Sequence, residues 1–174
     1  QTCALPISVS KTEKVYTPRL MYREAFYRDA FDGAFAARCK CNGHFDRVSP
    51  ELGGHYSILG WCHTFYQLLP PSKYFKEHPE WYSEIDGKRT SENAQLCLTN
   101  PAVQDELVKN ALEWIREDSG AGMISIAQND CGGNCQCPAC KAVEEEEGAP
   151  SGLLLRFVNG VAERIEKEFP DVLV

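Results

Sequence analysis

Residues 123–127, Met123-Ile-Ser-Ile-Ala127, run directly into Gln128-Asn-Asp130, and this join of an apolar run to a polar triplet fixes the reading of the fold. The run is too short for a helix and almost continuously apolar, with Gly120 and Gly122 just before it. That pattern predicts a strand buried on both faces, as in a parallel sheet, where strands do not alternate polar and apolar positions. Gln128, Asn129 and Asp130 then stand at the C-terminal end of the strand, where α/β folds collect their functional groups.

Helices are predicted on both sides of this strand. Upstream, Asn100 suits an N-cap and Pro101 the first helical position, and Val103, Leu107, Ala111 and Trp114 or Ile115 recur at helical spacing through about Glu117. Downstream, Ser151 can cap a helix in which Leu154, Val158, Val161 and Ile165 share a face, Pro170 stops it, and residues 172–174 open another strand. Further out, residues 18–23 read as a short strand, residues 32–38 as a helix stopped by Asn42 and Gly43, and residues 54–69 as a strand with a long loop. Residues 74–79 read as a helical turn and residues 81–88 as a small excursion around Asp86-Gly87. Strands alternating with helices predict an α/β fold with right-handed crossovers, a partial (β/α)8 TIM-type barrel; a doubly wound open sheet carries the same local signature.

The chain has 174 residues, whereas a closed eight-fold barrel needs about 250, so roughly half a barrel is expected. Residues 1–8, QTCALPIS, read as a non-native tail, and residues 9–174 as one incomplete barrel domain interrupted at its C-terminal strand. The 18 basic and 25 acidic residues give a net charge of −7 with no basic stripe, which disfavours nucleic acid. No run approaches the length of a membrane span. Oligomeric state is not legible.

Asp130 ends a buried strand before Gly132-Gly133, so its carboxylate is expected to face a strand-end cleft, partly desolvated, as an acid or polarising group; capping the turn is the plainer alternative. Asn129 could orient a substrate acetamido or hydroxyl group, or satisfy loop backbone. Cys135-Gln-Cys137-Pro-Ala-Cys140 has a spacing suited to a thiophilic metal, with Cys97 preferred over Cys131 as fourth ligand; two disulfides are the competing outcome. Either way the cluster is read as a structural staple, possible zinc included, with no cofactor required for catalysis. His63, in Trp61-Cys-His-Thr-Phe65, sits among aromatics of the kind on which sugar rings stack, or is a core histidine. Arg23 follows a predicted strand and is read as substrate-binding or as an inter-loop salt bridge. Glu144–Glu147 reads as a solvated face.

Tyr22-Arg23, Asp32-Gly33 with Phe35-Ala-Ala-Arg38, His63-Thr-Phe65, Lys73-Tyr-Phe75, His78-Pro-Glu80, Gly87-Lys-Arg89, Leu96-Cys-Leu-Thr-Asn-Pro101, Asn129-Asp130, the three-cysteine segment and Gly152-Leu-Leu-Leu-Arg-Phe-Val-Asn159 together resemble the domain of unknown function forty-eight thirty-eight, from about Thr17 onward. The resemblance implies a bacterial, extracytoplasmic barrel related to glycoside hydrolase family one hundred sixty-three, endo-acting on N-acetylglucosamine-containing glycans. It further implies that Asn129, Asp130, His63, Arg23 and Gln128 face the sugar, with a second catalytic group beyond Val174. A non-catalytic carbohydrate-binding barrel is the alternative. Cys39 and Cys41 depart from the family pattern, where an Asn/Arg pairing is more usual after Arg38, and could form an extra disulfide or stay free.

Overall fold

A computed structural model describes residues 10–174 except Thr12 and Ser119; the expected tail and Cys3 lie outside the described residues. Helix α1 (Gly33–Arg38) starts where the Asp32 carboxylate accepts a hydrogen bond from Phe35 N at 2.7 Å. Strand β1 (Ile58–Leu59) leads into two short helices, α2 (Phe65–Leu68) and α3 (Pro71–Tyr74). A hairpin of β2 (Glu84–Ile85) and β3 (Lys88–Arg89) follows. Its turn, Asp86-Gly87, has φ of +49° and +76°, the pair of left-handed residues that a two-residue hairpin needs. Then come helix α4 (Pro101–Glu117), strand β4 (Met123–Ile124), helix α5 (Pro138–Glu147) and helix α6 (Pro150–Glu166).

Strand β4 pairs in parallel with β1, Ile58 opposite Met123 and Leu59 opposite Ile124. On its other side Met123 makes a parallel bridge to Leu173, and Ile124 N donates to Leu173 O at 2.8 Å. Helices α4 and α6, which return the chain between these strands, pack against each other. Val103, Leu107, Ala111 and Ile115 of α4 share one core with Phe157, Val161 and Ile165 of α6, and with Phe65, Leu96 and Ile124. Gly160 lets the two helices approach, since a Cβ there would run into the Gln104 side chain, which itself bonds Phe157 O.

The architecture among the described residues is therefore mixed helix and strand around a small parallel sheet, with no closed barrel. Several predicted elements are corrected. Residues 18–23 form no strand, because their backbone groups are taken up locally: the Arg23 guanidinium bonds Leu20 O and Met21 O, and Arg23 N and O pair with Asn42. The long strand expected over 54–69 is two residues of strand followed by α2. The run 123–127 pairs as strand only at its first two residues. Residues 138–147 form helix α5, of which Glu144–Glu147 is the solvent-facing end, and α6 begins at Pro150 with Ala149 as N-cap, ahead of Ser151.

The two strand ends are locked by Thr64. Its hydroxyl donates to Ser125 O at 2.8 Å and accepts from Ala127 N at 2.9 Å, while Phe65 N donates to Ala127 O. Thr64 is fully buried, so Thr64→Val leaves the half-buried Ser125 carbonyl and Ala127 N–H without their partner. The expected cost is about 1–3 kcal/mol, read as a lower urea midpoint at unchanged m-value.

Candidate metal centre and strand-end rim

One extended segment, residues 95–97, builds two features at once. Leu96 bridges Tyr82 antiparallel, Ser83 N donates to Gln95 O and Cys97 N to Trp81 O. Alternate residues of such a segment face opposite ways. Leu96 enters the apolar core, while Gln95 and Cys97 face the loop that follows β4. The Gln95 amide is 3% exposed; its Nε2 donates to Asn129 O (3.0 Å) and Cys131 O (2.8 Å), and its Oε1 accepts from Asn129 N (2.9 Å). Gln95 N also donates to Gly133 O. Gly133 has φ of +75°, and a Cβ there would collide with Asn93 O, so no other residue fits this close approach.

Cys97, Cys135, Cys137 and Cys140 are all buried, with their sulfurs within 4.8 Å of one another. Cys97 Sγ lies 3.7 Å from Cys137 Sγ and 3.9 Å from Cys140 Sγ. Four thiolates at the ordinary zinc–sulfur distance of about 2.3 Å form a tetrahedron with edges of about 3.8 Å, so these thiols fit a thiophilic metal ion. Cys137 is the N-cap of α5 and Cys140 lies in its first turn, where the helix dipole favours negative sulfur. Around them, Glu84 N lies 3.3 Å and Arg89 Nη1 3.6 Å from Cys135 Sγ, and Thr99 Oγ1 3.2 Å from Cys140 Sγ. Hydrogen bonds from Cys135 and Cys140, with Arg89 adding to them, hold Cys97 well below the ordinary thiol range. All eight described cysteines are free thiols, Cys39 and Cys41 among them, so the disulfide alternatives are not realised. Cys131 stands apart from the cluster, with its sulfur 3.7 Å from Ala94 O.

Above this centre, His63 Nδ1 lies 2.9 Å from Gln128 O, and because a carbonyl can only accept, that nitrogen carries the proton. The other ring nitrogen faces Asp130 Oδ2 at 4.0 Å. His63, Gln128 and Asp130 are thus brought together on one open rim. The Asp130 side chain is 91% exposed, which corrects the expectation of a partly desolvated carboxylate. Asn129 is turned inward: its Oδ1 accepts from Tyr66 N and its Nδ2 donates to Ala94 O, so its amide serves the loop. Arg23 spends its guanidinium on Leu20 O, Met21 O and Lys40 O and has no bond to the rim. Beside the rim a cavity of about 350 Å³ is lined by Gln128, Cys131, Asn134 and Ser151 over an apolar floor of Phe65 and Leu154. Gln95, the residue that sequence reasoning passed over, was signalled by the polar and apolar alternation of Gln95-Leu-Cys-Leu98.

Parallel strands ending in a polar rim, with a four-thiol cluster beneath, define a mixed α/β domain with a built-in candidate metal centre. The chain belongs to the family described as Domain of unknown function (DUF4838), whose model matches residues 3–174. No curated protein and no solved structure matches it. No described helix is long and apolar enough to cross a membrane.

The thiol geometry predicts that the reduced protein binds one equivalent of zinc or cadmium, measured by titration against a chromophoric chelator. Cys140→Ser is expected to weaken that binding at least tenfold, and Arg89→Gln to weaken it about tenfold through loss of charge beside the sulfurs.

Proposed function

We propose that this domain is the sugar-facing portion of a glycoside hydrolase of (β/α)-barrel type, endo-acting on N-acetylglucosamine-containing glycans. The observation that carries the reading is the His63–Asp130 pair, held at the strand ends by backbone anchors and open to solvent. Parallel strands that are neighbours in chain order, with α4 and α6 packed on each other, match successive β/α units of a barrel. An exposed carboxylate suits the orientation of a substrate acetamido N–H better than proton donation. Asp130 therefore takes the polarising role, and proton donation falls to a group other than Asp130. Gln128 supplies an amide to the adjoining cavity, and His63 positions Asp130.

In this reading the four thiols hold zinc as a staple for the loop that carries the rim, and the bound metal keeps them from pairing in an extracytoplasmic setting. Arg23 and Asn129 act on the rim only through the loops they support. The exposure of Asp130 also favours a second reading, a barrel that binds glycans without cleaving them.

The native polypeptide carrying this domain is expected to release N-glycans from a glycoprotein, and Asp130→Asn to lower kcat by about 100-fold with little change in glycan affinity. Binding without turnover in the unsubstituted protein would establish the second reading instead.

A further inference from the structure

The loop between β1 and α2 holds more left-handed backbone than its length requires. Gly60, Trp61 and His63 have φ of +73°, +54° and +53°, and two of these carry side chains that disfavour that region. The Thr64 and Phe65 bonds to the strand end beyond Ser125 hold the loop in place. As a result the Trp61 indole stands out from the surface, 43% exposed, two residues before the histidine that faces Asp130. Phe26, 66% exposed, lies nearly parallel to it, with centroids 5.9 Å apart and planes 17° apart. Phe45 meets the indole edge-on at 5.0 Å and 86°, and also meets Phe26 edge-on. The two exposed rings are therefore fixed in orientation from behind.

We propose that Trp61, backed by the stacked ring of Phe26, is a stacking platform for a pyranose ring, an additional subsite of the rim formed by His63, Gln128 and Asp130. The proposal rests on the carbohydrate reading of that rim and names the residues that would hold the sugar face. A pyranose presents an apolar C–H face and a polar edge of hydroxyl and acetamido groups. A flat indole two residues along the chain from the imidazole that faces the Asp130 carboxylate answers both. A protein partner would call for a wider apolar patch, whereas Phe31 and Phe45 of this cluster are half-buried and offer only support.

The test uses N,N′-diacetylchitobiose as probe and this chain as the protein. Trp81 is buried and Trp114 partly buried in the core, so ligand at Trp61 is expected to shield the most exposed tryptophan from acrylamide quenching. Trp61→Ala should weaken binding at least tenfold and Phe26→Ala at least threefold, while Trp61→Tyr should keep affinity within threefold. Phe26 is mostly exposed, so its variant reports on the platform even where Trp61→Ala folds poorly. Binding unchanged within twofold in Phe26→Ala and in folded Trp61→Ala would overturn the platform and leave the carbohydrate reading standing. Failure of the unsubstituted chain to bind the disaccharide at millimolar concentration would overturn both.

Discussion

The rim depends on the grip of one extended segment on one loop. Gln95 and Cys97, two residues apart and facing the same way, hold the chain after β4 at two separate points. The Gln95 amide fixes residues 129–132 through their backbone, and the Cys97 sulfur meets Cys137 and Cys140. Leu96 between them is buried in the core, so the segment cannot slide without exposing an apolar side chain or breaking both contacts. Rigidity at a strand end comes here from buried side chains that satisfy loop backbone, since the paired strands are only two residues long.

That arrangement separates support from presentation. Asn129, Thr64 and Gln95 spend their polar atoms on the backbone, and Arg23 does so at a distance from the rim. His63, Gln128 and Asp130 keep polar atoms directed outward. The left-handed backbone around Trp61 is strain of the kind that survives only where neighbouring contacts overdetermine it, and Thr64 provides those contacts. Carbohydrate recognition suits such a surface, because sugars ask for orientation of many weak contacts more than for a deep apolar pocket.

Much of this was legible in the sequence where the signal is local. The cap and proline at Asn100-Pro101, the face of α4, the Asp86-Gly87 turn and the membership of Cys97 in the cluster all follow from residues close together or from a distinctive side chain. Strand extent was not legible, because an apolar run reports burial and says nothing of which neighbour pairs with it; residues 123–127 are apolar except for Ser125 and bridged at only two positions. The orientation of Asn129 was hidden for a different reason. Its partners Tyr66 and Ala94 lie 63 and 35 residues away, so only the assembled fold decides whether the amide faces substrate or loop. The same holds for Asp130, whose exposure is set by how the loop turns after it leaves the sheet.

The thiol cluster holds the rim-bearing loop in place, and the outward-facing groups depend on that hold. Amide hydrogen exchange of the metal-loaded protein, followed before and after treatment with a strong chelator, tests it at the residues concerned. Loss of protection concentrated in residues 129–141, with α4 unchanged, is the predicted result. Protection of that loop that is indifferent to the metal, or a loss spread evenly over α4 and α6, would contradict it.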